Sequence, residues 1–373
     1  MGRNHQTPTS IQARARHESG QVLVMFVLLL PVLLGMVAMA VDIGNYASDR
    51  RTLQNAADAI AMAAVQELPD TGEALAVADA WALKNGIDPD HMKVSFSGTG
   101  GSGGSVPKVV VEITRPHEFA FARIVGVDSA DVSARAAATR SSYGGGGQIV
   151  PWAVLDSIVE AANNGELITM KYDANNANNG NFGAIRIDGD GSKVYEEEIK
   201  YGSDSSLCAI STPGCDPAGC PGQYPDGCAE TAPECDGPNC KPKTGNMVGP
   251  TADGVDYRMN NTTTACDTFE EAFSKDASGN YRMSTECNPW LEGNEDSLRI
   301  IIIPIVDSFG NGSSDDMEVQ GFALMYLEGY EKNKCKGNQC EVKGRFIKNA
   351  VTVPGLTGVY DPSAPLQVSR LAE

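Results

Sequence analysis

Ten cysteines lie in the C-terminal half of this 373-residue chain, all beyond residue 207. "CAISTPGCDPAGC" holds Cys208, Cys215 and Cys220, and it aligns with "CAETAPECDGPNC", which holds Cys228, Cys235 and Cys240. Cys266 and Cys287 follow, and Cys335 and Cys340 form another C-x4-C pair. An even count of cysteines outside a membrane argues for disulfides. Zinc is the rival, because it takes Cys and His ligands at short spacing. The C-x4-C pairs sit at the edge of that range, however, and His5, His17, His91 and His117 all precede the cysteines. A Cys-only zinc site is disfavoured by an oxidising compartment. Spacing does not fix connectivity. The expectation is short-range pairing within each repeat, Cys266 with Cys287, and Cys335 with Cys340. A loop rich in Pro and Gly builds no apolar core of its own, so covalent links would hold its shape.

Other chemistry is poorly supplied. Without a histidine after His117, the distal region cannot assemble a Ser-His or Cys-His nucleophile. Paired carboxylates for glycoside chemistry cannot be judged from sequence spacing. "DGDGS" at 188–192 begins like an EF-hand loop, but Lys193 stands where Gly is needed and Ile199 where the bidentate Glu belongs. A hairpin turn is the expected reading. No catalytic residue, metal site or cofactor is expected.

Charge is uneven. Residues 1–143 hold 12 Lys and Arg against 14 Asp and Glu, whereas residues 144–373 hold 17 against 34. Such a distal surface repels nucleic acid and anionic lipid.

The element that must position everything else is "GQVLVMFVLLLPVLLGMVAMAVDIG" at 20–44. From Gln21 to Val41 there is no charge, and 13 positions are Leu, Val or Phe. A helix of that length rises roughly 31 Å, which matches a hydrocarbon core of about 30 Å. Pro31 is tolerated in a bilayer helix. Arg3, Arg14 and Arg16 precede the run, while Asp42 and Asp49 follow it, which predicts an N-terminus inside and the remainder outside. Asp42 reads as a boundary residue that water can reach. The alternative is a signal peptide cut after Ala40, since Ala38-Met39-Ala40 fits an A-x-A site.

After the anchor, "RRTLQNAADAIAMAAVQEL" reads as a helix that Pro69 ends. Leu53, Ala57, Ile60, Ala64 and Leu68 recur at helical spacing. Leu53, Ala57, Ile60 and Ala64 are candidates for packing on a partner helix, because small residues permit close approach. Packing on the chain's own domain is the alternative.

The basic leader, Gly20-Gln21, the apolar run, "AVDIG" at 40–44 and "LQNAADAIAMAA" at 53–64 together resemble the N-terminal segment of bacterial TadE/TadG-like Flp pilus assembly proteins. The resemblance covers about fifty residues. It implies a membrane-anchored envelope component of a pilus or secretion apparatus and brings no catalytic residues. Met25 stands where type IV prepilins carry a Glu five places after the cleaved Gly, which argues against prepilin-peptidase processing. "DSFGN" at 307–311 does not supply the D-x-S-x-S metal motif found in some TadG-like proteins. The sequons at Asn261 and Asn311 are not expected to be used in a bacterial context. "GNFGAIRIDGDG" (180–191) and "GNMVGPTADGV" (245–255) are more loosely similar to segments that follow the anchor in some family members.

Residues 73–84 are predicted as a helix, 92–98 and 107–114 as strands around a Gly-Ser loop at 98–105, 118–126 as a short helix, and 131–140 as a closing strand. "YGGGG" at 143–147 reads as a linker. Beyond it, "ELITMKY", "FGAIRID", "LRIIIIPIVD", "EVQGFALMYL" and "RFIKNAVTV" read as strands, with few helical signals. The expected fold class is α+β: a single N-terminal transmembrane helix, a small membrane-proximal α/β unit, and a β-rich disulfide-containing domain, sandwich-like. The partition is a cytoplasmic leader 1–19, an anchor 20–43, a membrane-proximal region 44–142, a linker 143–147, and an acidic domain 148–373 with a Cys-rich insertion at 203–244. The expected setting is the bacterial inner membrane, with the bulk of the chain extracytoplasmic. Expected partners are the membrane and other pilus-assembly or secretion proteins, not nucleic acid. The alternatives are a secreted or surface binding module freed by cleavage after Ala40, and an envelope hydrolase.

Overall fold

Residues 19–98, 106–176, 181–212, 215, 235–275, 281–310, 315–331, 334–348, 353 and 356–372 are described by a computed structural model. The Gly-Ser loop at 99–105, Cys220, Cys228 and the sequon at Asn311 lie outside the described residues. The chain forms two compact units, one of Met1–Asn55 with Ile113–Ala134, the other of Ala56–Glu112 with Arg135–Glu373.

Helix α1 runs unbroken over Ser19–Val65 with Pro31 inside it. Its 47 residues span roughly 70 Å. Residues 22–41 are uncovered apart from Ala38: Val22, Leu28 and Val37 are each more than 60% exposed. Leu53, Ala57, Ile60 and Ala64 are instead completely buried within this chain. This is the stripe read from the sequence as a candidate for partner-helix or own-domain packing, and in the single chain it is covered. Where α1 ends, Arg140 donates to the carbonyls of Gln66 and Leu68, and Arg282 meets Glu67 at 2.7 Å. Helix α2 (Thr71–Lys84) follows, capped by Asp70, whose side chain accepts from Gly72 N and Glu73 N. It buries Ala74, Ala78 and Ala82 along one stripe.

One sheet orders β1 (Met92–Ser97), β2 (Lys108–Glu118), β3 (Ser129–Gly146) and β16 (Leu356–Thr357), with β7 (Leu207–Cys208) and β17 (Gln367–Ala372) also pairing β3. β3 is longer than its prediction, and the difference is instructive. The supposed linker is strand: Tyr143–Gly146 is buried at the end of β3. Gly145 pairs with Cys208 of β7 and with Leu356 of β16. A Cβ on Gly145 would stand 2.0 Å from Leu207 O, and its φ is +139°. These glycines serve close backbone approach rather than flexibility.

The second sheet orders β4 (Val154–Leu155), β13 (Ile300–Val306), β14 (Met317–Gly329), β15 (Val342–Ile347) and β5 (Leu167–Lys171). The short hairpin β8–β9 (Cys235–Asp236, Asn239–Cys240) attaches to β14. β13 is buried at every position. Alternation sends Ile300, Ile302 and Val306 into one core cluster and Ile301, Ile303 and Ile305 into another. Both faces of this sheet are therefore covered. One side packs on α3 (Asp156–Ala161), α4 (Ser192–Tyr201) and α5 (Val248–Asn261), through Val159, Tyr195, Ile199 and Val255. The other packs on Tyr143, Leu207, Val368, α6 (Phe269–Ala272) and the Cys266–Cys287 pair. β6 (Asn181–Ile185) pairs β10 (Pro242–Thr244), and β11 (Phe273–Lys275) pairs β12 (Tyr281–Met283). The chain is thus a mixed α+β protein with a β-rich distal part, but helices cover one face where a plain sandwich was expected. Residues 188–192 lead from β6 into α4 rather than closing a hairpin. The predicted helix at 118–126 reduces to a 3-10 turn at Ala122–Val125.

Helices α4 and α5 touch closely, because a Cβ on Gly254 would lie 2.5 Å from Ile199 Cγ2. Arg258 of α5 is buried and donates to the carbonyls of Ile199 and Leu298. Glu198 of α4 is 2% exposed and accepts from Asp188 N at 2.7 Å. Burial pushes its pKa up to about 8, against the opposing effect of the Asp188 amide.

Two predictions follow from this packing. Gly145→Ala will lower stability by at least ~2 kcal/mol, through left-handed strain and the Leu207 clash. Gly321→Ala, within β14 with open space around it, will be neutral or stabilising by up to ~1 kcal/mol in denaturant titration. Glu198 also makes a pH signature. Below about pH 4.5 both folded and unfolded chains hold its proton, and its cost is absent. As pH rises towards 8 only the unfolded chain ionises, so stability falls across that window. Glu198→Gln will match the parent near pH 4.5 and exceed it by on the order of a few kcal/mol at pH 8 in paired denaturation curves.

Candidate functional site: the anchor helix and its clamp

Within the first unit, Asp42, Tyr46 and Asp49 stand at i, i+4 and i+7 on α1 and so share one face. Arg115 and His117 alternate on β2, and Phe119 follows just past its end. The two faces meet in antiparallel sense. Asp49 pairs with Arg115, and its Oδ2 lies 3.1 Å from His117 Nδ1. Tyr46 packs against His117 and Phe119, with ring centroids 5.6 and 6.3 Å away. The Tyr46 hydroxyl donates to Asp131 O at 3.0 Å. Burial acts to raise the Asp49 pKa, but the hydrogen bonds from Arg115 and His117 outweigh it and hold the carboxyl below its ordinary value.

Asp42 completes the face. Its Oδ1 accepts from Ala120 N at 3.0 Å, and its Oδ2 from Phe121 N at 3.0 Å and Ala122 N at 2.7 Å. Three successive amides at the entrance to the 3-10 turn thus converge on one carboxylate, compensating its charge. Asp42 is only 4% exposed. A water-accessible boundary residue is expected here from the sequence, but residues 120–122 cover it. The i, i+4, i+7 spacing on α1 and the alternation of "RPHEF" are the sequence signals of this face.

The cysteines lie elsewhere, in the second unit. Disulfides join Cys208 to Cys215, Cys235 to Cys240, Cys266 to Cys287 and Cys335 to Cys340, with Cα separations of 5.8, 4.1, 5.6 and 4.0 Å. The two repeats are not used alike. Their first and second cysteines pair in one copy, their second and third in the other. The Cys266–Cys287 pair is buried in a core with Phe269, Phe273 and Tyr326, and its 21-residue separation corresponds to about 3 kcal/mol in the chain-entropy model. Lys171 is buried beside the last pair and donates to Cys340 O, Tyr172 O and Asn246 Oδ1 at 3.1–3.2 Å. Burial lowers its pKa to about 8.

Two clefts open on this unit. One of about 410 Å³ is lined by Asp173, Glu328, Glu331, Glu341, Lys334 and Lys343, among others. Another of about 700 Å³ includes Asp156, Glu160, Lys348 and Asp361. Among the described residues, no group of three His, Cys, Asp or Glu side chains is placed to hold a metal ion.

The clamp yields a direct expectation. Hydrogen bonds to a charged acceptor contribute ~1.5–3 kcal/mol each. Asp42→Ala in the full chain will speed amide exchange at residues 120–122 by roughly thirty-fold or more, corresponding to a loss of about 2 kcal/mol or more. Asp42→Asn, which retains one acceptor oxygen, will fall between. Exchange at Val111, far along β2, will not change.

No curated protein and no solved structure matches this chain. Residues 20–67, which carry both the apolar run and the Asp42–Asp49 face, match the family described as Tad, putative Flp pilus-assembly TadE/G-like.

Proposed function

We propose that this chain is a single-pass, membrane-anchored structural component of a Tad/Flp-type pilus assembly or secretion apparatus, and that it performs no catalysis. The observation that carries the reading is the TadE/G-like match over 20–67. It falls on a helix with an uncovered, charge-free stretch of mean hydropathy 2.9, long and apolar enough to cross a membrane. In this reading residues 20–43 span the inner membrane and the basic leader 1–19 stays in the cytoplasm. The acidic, disulfide-bearing region 148–373 then lies on the extracytoplasmic side. The disulfides support that side, because such bonds persist in oxidising compartments. The apolar half of α1 is the surface left for partner helices in the bilayer, since the Ala-rich stripe is buried within the chain.

The test is affinity capture of the tagged full chain in mild detergent, with N-terminal sequencing of the recovered protein. Retention of residues 1–40 together with co-purified pilus-assembly or secretion components is the expected result. Recovery from the medium of a chain beginning at Val41 would replace this reading with that of a released binding module. An intact chain with no such partners would remove the assembly role.

A further inference from the structure

The 3-10 turn carries side chains that a soluble surface does not favour. Ile124 is 81% exposed and Val125 80%, with Val127 and Phe121 nearly half exposed. Four apolar residues on one tight turn form a cluster rather than scattered single exposures. The clamp states where this cluster lies along α1. Arg115 contacts Asp49, Phe119 contacts Tyr46, and residues 120–122 contact Asp42. As β2 and its extension advance, their partners on α1 step back towards the apolar run. Residues 123–127 therefore continue beyond Asp42 in the direction of Val41 and Ala38. Ala38 agrees: it is the one residue of Val22–Val41 that is not exposed.

We propose that the 121–127 turn is a second membrane contact, an apolar wedge set into the interfacial region beside the emerging anchor helix. The occupant of this surface is the lipid bilayer, because the wedge lies at the end of the clamp nearest the uncovered apolar surface of α1. Apolar side chains gain by entering the headgroup–acyl boundary, and aromatic rings such as Tyr46 and Phe119 are at home at that depth. Arg123, whose Nε donates to Phe119 O, keeps a cation at headgroup level. Asp42 acts as a positioning residue: it holds the three amides that fix where the wedge leaves the helix. A single helix alone is free to tilt and rotate in a bilayer; a helix with a wedge clamped to one face has a defined rotation. The inference rests on the membrane-anchor reading.

The experiment places a nitroxide on Ile124→Cys in the full chain, reconstituted in phosphatidylcholine–phosphatidylglycerol vesicles. Leu33→Cys marks mid-span and Lys84→Cys marks water, and the parent chain carried through the same labelling supplies the background. The expected result is that oxygen collides with the label at 124 severalfold more than a water-soluble nickel chelate does, as at 33, with the opposite order at 84. A label at 124 that behaves like the one at 84, while 33 is in lipid, overturns the wedge and leaves the anchor standing. A label at 33 found in water overturns both. In an Asp42→Ala background the label at 124 shifts towards water while that at 33 does not. No shift would refute the positioning role.

Discussion

Helix α1 is one hydrogen-bonded rod that must satisfy two different surroundings. Over residues 22–41 it offers only apolar side chains outward, and over residues 53–65 it buries an alanine-rich stripe. A helix satisfies its own backbone, which is why it can pass from an uncovered stretch to a covered one without a break. The change of surroundings is written in side-chain size. Large aliphatic residues fill the uncovered half, where area matters. Small ones fill the covered half, where close approach matters. Ala56, Ala57, Ala61 and Ala64 leave room for neighbouring backbone that Leu or Val would displace.

Between those halves stands a carboxylate. An ionised Asp withdrawn from water costs several kcal/mol unless its oxygens are hydrogen-bonded. Here the compensation comes from three backbone amides, which cannot deprotonate or swing away as a lysine side chain can. Asp49, seven residues on, is matched by Arg115 and His117 instead. The pattern along one helix face is thus fixed dipoles nearest the apolar run and mobile charges farther from it. That ordering follows from solvation, since an arginine needs water near its guanidinium more than a peptide N–H does.

Much of this architecture was legible in the sequence, and the failures have identifiable causes. "LRIIIIPIVD" read as a strand, and β13 is one covered on both faces, because a continuous β-branched run has no polar face to offer. Helix α4 escaped notice because Glu198 sits within its buried stripe and disguises the period. Helix α5 contains Gly249, Pro250 and Gly254, which weaken its helical signal. Pro250 falls in the first turn, where a missing N–H costs nothing, and Gly254 is there to admit Ile199. Composition cannot separate a glycine needed for contact from one needed for freedom, so "YGGGG" passed as a linker. The clamp was half legible. The faces of α1 and β2 can each be read from their periods, but nothing local says that residues 42 and 120 meet across 78 positions.

The clamp also bears on whether the anchor stays. Cleavage after Ala40 would make Asp42 the second residue of a new chain end. It would also remove Ala38, whose carbonyl is the i−4 partner of the Asp42 amide in a continuous helix. Helix ends fray, and an acidic residue at such an end turns its carboxylate onto the free amides of its own first turn. A carboxylate drawn towards those amides competes with its own bonds to Ala120, Phe121 and Ala122. In the continuous helix the amides of the Asp42 turn are satisfied by their own i−4 carbonyls, and both carboxylate oxygens are left to another segment.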